Sequence, residues 1–170
     1  MMTNSWFISD LHLGHANILK YSAEERPFKN LEEHDQHVID SINETVKKRD
    51  TLYILGDVAF SKEALYHVKQ IRVKNKTLIL GNHDQFSMVD YMAAGFNKIY
   101  GMARHKEFVL THAPVHPCQL EKRYNANIHG HLHTYSVDDP RYINVNVDQI
   151  GFTPTSLVEI RDTIKYNLRK

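Results

Sequence analysis

The sequence predicts an α/β fold. Short apolar runs alternate with stretches of helical periodicity, and no repeat, low-complexity tract or Gly/Ser linker breaks the alternation. The length of 170 residues, 42% of them hydrophobic, suits one domain over 1–170 with an ordinary core.

The elements follow in order. Trp6-Phe7-Ile8-Ser9 reads as a buried strand ending at Asp10. Leu31 to Lys48 reads as an amphipathic helix, with Val38, Ile39, Ile42 and Val46 on one face, and Asp50 breaks it. Thr51 to Leu55 is the second strand, ending at Gly56-Asp57. Ser61 is an N-cap for a helix carrying Ala64, Leu65, Val68 and Ile71. Lys76 to Leu80 is the third strand, ending at Gly81-Asn82-His83-Asp84, and a short helix follows Ser87. Lys98 to Met102 and Glu107 to Thr111 read as successive strands, the second ending at His112. Ala126 to His129 is a strand ending at Gly130-His131, and Tyr142 to Val147 alternates as a strand does. Ser156 and Glu159 have capping-box spacing, and Leu157, Ile160, Ile164 and Leu168 then share one face of a closing helix.

Several function classes are excluded by composition. A formal net charge of +1 gives no basic field, so tight, sequence-independent DNA binding is not expected. Cys118 is the sole cysteine, which rules out an intrachain disulfide and suits a reducing cytoplasm. Met1 to Trp6 lacks a basic segment followed by an apolar one, so no signal peptide is expected. No uncharged apolar run approaches the ~18 residues that a membrane span needs.

The chain holds 12 histidines, and their placement carries the functional reading. Asp10 and His12 follow the first strand, Asp57 the second, Asn82 and His83 the third, His112 a later one, and His131 and His133 another. Ligands of open α/β sheets bind outside the carboxyl ends of the strands, so these side chains are expected on one rim. Aspartate, asparagine and imidazole without thiolate suit Mn²⁺, Fe or Zn²⁺ rather than a structural thiolate zinc site. Two aspartates, one asparagine and four of the imidazoles make seven ligands, which exceed one tetrahedral ion and suit two ions sharing a carboxylate.

Asp10-Leu11-His12, Gly56-Asp57, Gly81-Asn82-His83-Asp84, His112 and Gly130-His131-Leu132-His133 occur in the order that resembles the calcineurin-like metallophosphoesterase superfamily. The resemblance spans residues 10 to 133. It implies two mixed sheets packed as a sandwich with helices outside. It also implies roles: Asp10, His12 and His133 for one ion, Asn82, His112 and His131 for a second, and Asp57 bridging. Mn²⁺ is the first choice, with Fe, Zn²⁺, Ni or Co as other occupants. By the same resemblance His83 faces the phosphate as the catalytic group, and Asp84 orients it. A hydroxide held between the ions then attacks phosphorus without a protein nucleophile.

The remaining polar residues divide. His15 follows the first block on the same loop and is a candidate for touching substrate phosphate. Arg26, beside Pro27, could bind phosphate or pin a loop. Asn144, Asn146 and Asp148 could support the ligands or be plain strand and turn polarity. His34, His37 and His67 read as surface or helix-packing residues, and His129 faces away from the rim. Gly56-Asp57 continues as Val58-Ala59-Phe60, unlike the Asp-Arg-Gly continuation of the superfamily's protein phosphatases. The chain is more similar to small, capless bacterial and phage phosphoesterases. A small phosphodiester, nucleotide-like, is the favoured substrate. The alternatives are a phosphomonoesterase on the same site and a non-catalytic metal-binding interaction module.

Overall fold

A computed structural model describes residues 3–169. In the first sheet, β1 (Ser5–Ile8), β2 (Thr51–Ile54), β3 (Asn75–Ile79) and β4 (Lys98–Tyr100) run parallel in the order β4-β3-β2-β1. The two-residue β9 (Thr155–Ser156) adds antiparallel to β1. In the second sheet, β5 (Ala103–His105) pairs antiparallel with β6 (Phe108–Leu110). β7 (Ala126–His129) and β8 (Tyr142–Asn144) continue it in parallel. The helices are α1 (Ile18–Tyr21), α2 (Leu31–Thr45), α3 (Lys62–His67), α4 (Met88–Ala93), α5 (Val147–Ile150) and α6 (Leu157–Asn167).

Strand alternation sorts the core into layers. Phe7, Leu55 and Ile79 meet Leu110, Ile128 and Ile143 between the sheets. Their neighbours Ile8, Leu52, Ile54 and Leu78 pack outward against Val38, Ile42, Leu65 and Tyr91 of α2, α3 and α4. Both faces of the first sheet are therefore covered, as parallel strands require. α6 closes the space between the sheets with Ile160 and Ile164, and its capping box of Ser156 and Glu159 is formed. The expected sandwich of two mixed sheets is the fold observed.

Several boundaries differ from the sequence reading. The helix expected to Lys48 stops at Thr45, and β4 and β6 are each three residues long. Tyr142 to Val147 is not one strand. The Asn146 side chain accepts the Asp148 N–H and starts α5, so the chain leaves the sheet where polar capping overrides alternation. The short α1, α5, β5 and β9 carry too few residues for a periodic signal.

Candidate functional site

Parallel strands deliver their carboxyl ends to one edge. There β1, β2 and β3 present Asp10, His12, Asp57 and Asn82, and β6 and β7 present His112, His131 and His133. A bridge between Ser9 and Asn146 joins the two sheets at this edge. All seven expected ligands meet across it. His12 Nε2 lies 3.8 Å from both Asp10 Oδ1 and Asp57 Oδ2. His112 Nε2 lies 3.4 Å from Asp57 Oδ2 and 2.9 Å from Asn82 Oδ1. The rings of His133 and His12 are 5.3 Å apart, and those of His131 and His112 are 5.0 Å apart. Two sets have ligand atoms within 4.8 Å of one another: Asp10, His12 and His133, and Asp10, Asp57 and His112.

The backbone here is unusual. Asp10, His12, Asp57, His131 and His133 all adopt positive φ, between 48° and 68°. Such conformations cost of order 1–3 kcal/mol each in non-glycine residues and collect at functional sites. They turn each chain sharply out of its strand, so that the side chains converge. Gly81 and Gly130 allow close approach: a Cβ on Gly81 would strike Asp57 Oδ1, and one on Gly130 would strike Ser9 Oγ and Asp10 Oδ2.

Outer partners of His12, His112 and His133 leave one ring nitrogen of each free for the centre. His112 donates Nδ1–H to the Leu55 carbonyl at 2.7 Å, and His133 donates Nδ1–H to Asp148 Oδ2 at 2.7 Å. His12 Nδ1 pairs with His15 Nδ1 at 3.1 Å. In all three the Nε2 atom is the one left pointing inward, as ring orientation by an outer hydrogen bond requires. Asp10 Oδ1 and His12 Nε2 are buried and have no hydrogen-bond partner. Orphaned buried polar atoms are costly, and a divalent cation between them would satisfy both. The donor set of carboxylate, imidazole and amide oxygen fits such an ion.

The electrostatics agree. Burial opposes ionisation of Asp57, yet hydrogen bonding and charge from His112, with the His83 N–H and His12, hold its pKa down to about 2. Asp10 is likewise lowered against its burial by His12, His112 and Ser9. Burial also opposes charge on His112, but Asp57 and Asp10 outweigh it and raise its pKa to about 9. A divalent cation ligated through His112 Nε2 would have to displace the proton that these carboxylates favour on the ring.

A buried network stands behind the ligands. The Arg26 side chain, 1% exposed, donates to Asp148 Oδ1 at 2.6 Å and to the carbonyls of Asp10 and Leu11. Its Nη1 also meets His34 Nε2, whose Nδ1 contacts Asp35; Asp35 accepts the Gly14 N–H. Arg26 pins the loop after β1 and is not free to bind substrate; of the two roles weighed from sequence, phosphate binding is corrected to loop anchoring. Asp148 is the hinge of this network, since burial opposes its charge but His133 and Arg26 keep it ionised. Asn146 accepts the Asp148 N–H, and Asn144 donates to the His133 carbonyl and accepts the Asn146 N–H. Asp148→Asn should weaken divalent-cation binding by about 10–100-fold in a calorimetric titration. An unchanged affinity would show that His133 needs no such partner.

One further sequence expectation is revised. Asp84 does not touch the His83 ring. Its carboxylate accepts the N–H groups of Gly81, Asp57 and Val58 at 2.8–3.0 Å, tying the loops after β2 and β3 together. His83 is held instead by its own N–H, which donates to Asp57 Oδ1 at 3.0 Å, and its exposed ring lies 5.0 Å from that of Phe60. His15 is half-buried and lowered to about 4, by burial and by the rings of His12 and His83, so it is neutral near pH 7. A neutral imidazole still carries one N–H donor, and His15 lines the cleft beside His12. Ser9 escaped the sequence reading altogether: its hydroxyl sits 2.5 Å from Asp10 Oδ2 and 2.8 Å from the Leu55 carbonyl oxygen. Nothing in a lone serine after an apolar run signals that contact.

No family model matches the chain. It is 32% identical to the uncharacterized protein MJ1445 of Methanocaldococcus jannaschii, over 92% of this chain and 88% of that one. Among solved structures it is similar to the protein of unknown function AQ665 from Aquifex aeolicus, with a TM-score of 0.76, 26% identity, and coverage of 95% and 99%. Its fold is also that of the Pseudomonas putida nuclease MPE, with a TM-score of 0.50, 19% identity, and coverage of 76% and 60%.

Proposed function

We propose that the chain is a member of the calcineurin-like metallophosphoesterase superfamily, whose motif order it resembles and whose fold it shares with the nuclease MPE, and that it is a two-metal phosphodiesterase acting on a small, nucleotide-like phosphodiester. The observation that carries this reading is a pair of overlapping ligand sets, Asp10 with His12 and His133 and Asp10 with Asp57 and His112, with Asn82 and His131 beside His112 and with Asp10 Oδ1 and His12 Nε2 buried and unpartnered. Asp10, His12 and His133 would hold one cation, and Asn82, His112 and His131 a second, with Asp57 shared. Manganese is the favoured occupant, because the donors are oxygen and imidazole without sulfur. When bound, such ions supply Lewis acidity, lowering the pKa of water from ~15.7 to about 7 and neutralising charge on phosphoryl oxygens.

The protein's own groups do the rest. Hydrolysis joins one water oxygen to phosphorus and breaks the bond to one ester oxygen, which must gain a proton. His83 lines the cleft beside His12 and His133, which supports it as the donor of that proton. Asp57 fixes His83 through the backbone, Phe60 packs against its ring, and Asp84 locks the two loops that carry them. No protein nucleophile is required, and Cys118 is exposed and belongs to neither ligand set.

Preference for a diester follows from charge. A dianionic monoester gains from extra Arg or Lys clamps. Among the residues lining the cleft Lys20 is the one lysine or arginine, while Arg26 is buried and fully engaged. With Mn²⁺ present, bis-(p-nitrophenyl) phosphate should therefore be cleaved with a higher kcat/KM than p-nitrophenyl phosphate. A clear preference for the monoester across pH and metal would reverse the assignment to the phosphomonoesterase alternative. No described helix is long and apolar enough to cross a membrane. The single, unpaired Cys118 suits a cytoplasmic setting, and the net charge of +1 argues against tight binding to long DNA.

A further inference from the structure

The cleft that opens over His12, His83 and His133 has a volume of about 810 Å³, within the range of small-molecule sites. Its inner wall is aromatic. His15 stacks on Phe60 with ring centroids 3.9 Å apart and planes 8° apart, and Phe60 in turn lies 5.1 Å from the His12 ring. Two tyrosines from separate segments extend this surface outward: Tyr21 at the end of α1, and Tyr135 two residues beyond His133. They are 75% and 76% exposed. Tyr21 meets the His15 ring edge-on at 6.3 Å. Single exposed aromatics are ordinary. Here two open on the same cleft, and Tyr21 meets the His15–Phe60 stack that continues to the candidate ligand His12.

Charge on the same wall narrows the occupant. Beside Lys20 stand Glu24 and Glu25, so the rim carries more negative than positive charge. That rim disfavours a second phosphate and suits a flat, uncharged ring bearing N–H donors. Aromatic platforms with carboxylate acceptors suit a nucleobase, since every base offers a π-face. We infer that Tyr21 and Tyr135 form a stacking subsite for the base of a mononucleoside phosphodiester, with Glu24 and Glu25 keeping longer polynucleotides out. The inference rests on the phosphodiesterase reading and adds to it the substrate's non-reacting arm.

Two arms test it. In the first, thymidine 5′-(p-nitrophenyl phosphate) and methyl p-nitrophenyl phosphate are compared with Mn²⁺ present; both are monoanionic diesters with one leaving group. The ratio of their kcat/KM values should favour the nucleoside by about tenfold or more, fall towards unity in Tyr21→Ala/Tyr135→Ala, and persist in Tyr21→Phe/Tyr135→Phe. In the second, saturation-transfer NMR of adenosine 5′-monophosphate with the metal-free protein should mark the base protons, and the double alanine variant should lose that signal. Cleavage of both esters at a ratio near unity overturns the subsite alone. Cleavage of neither ester overturns the phosphodiesterase reading, and the NMR arm then decides the subsite. Equal base-proton saturation in protein and variant, or none in either, overturns it.

Discussion

Asp57→Asn is expected to lower kcat/KM with Mn²⁺ by about 10³-fold. The reason is position. Asp57 Oδ2 lies 3.8 Å from His12 Nε2 and 3.4 Å from His112 Nε2, so one carboxylate faces both halves of the ligand set. Its other oxygen accepts the His83 N–H, so the residue also fixes the proposed proton donor. The amide of asparagine matches the shape and can still accept that N–H, which preserves the loop. It removes the negative charge, which His112 and its neighbours hold ionised down to about pH 2. Metal content per chain should fall with the rate, while the far-ultraviolet circular dichroism stays unchanged. A variant that keeps at least a tenth of the activity, with full metal content, would remove Asp57 from the shared position.

His83→Ala should lose roughly 10²–10⁴ in rate while retaining its metal content, the magnitude of a lost general acid. The His83 ring is exposed on the cleft and belongs to neither cluster of potential ligands. Truncation at Cβ leaves its backbone N–H on Asp57 intact, so the loop should hold. The loss should be steepest for esters of poorly acidic alcohols, whose leaving oxygen needs the proton. It should shrink for p-nitrophenyl esters, whose leaving group departs as the anion. Elemental analysis separates the two possible roles: loss of an ion in the variant would make His83 a ligand.

The parts of the site legible in the sequence are those that sit at the ends of buried strands. Asp10, Asp57, Asn82, His112 and His131 each follow an apolar run, and parallel pairing turns that sequence pattern into a shared edge in space. Loop anchoring by Arg26 and support from Asp148 were open readings, but the contact between them was not legible, because it joins residues far apart in sequence. Arg26 reaches Asp148 across 122 positions, and no local pattern announces that pairing. Asp84 was assigned to its sequence neighbour His83, but its carboxylate is spent on three backbone N–H groups. The left-handed backbone of His12, His131 and His133 could not be foreseen either, since histidine seldom adopts it and the surrounding packing must impose it. Tyr21 and Tyr135 had no signal at all, because the α1 turn and the loop after His133 lack periodicity.

Metal content against activity tests the account most directly. The protein should be stripped with a chelator, verified by elemental analysis, and titrated with Mn²⁺ while hydrolysis of bis-(p-nitrophenyl) phosphate is followed. Activity should be absent in the stripped protein and return as occupancy approaches two ions per chain. Full activity in stripped protein with no detectable metal would contradict the account.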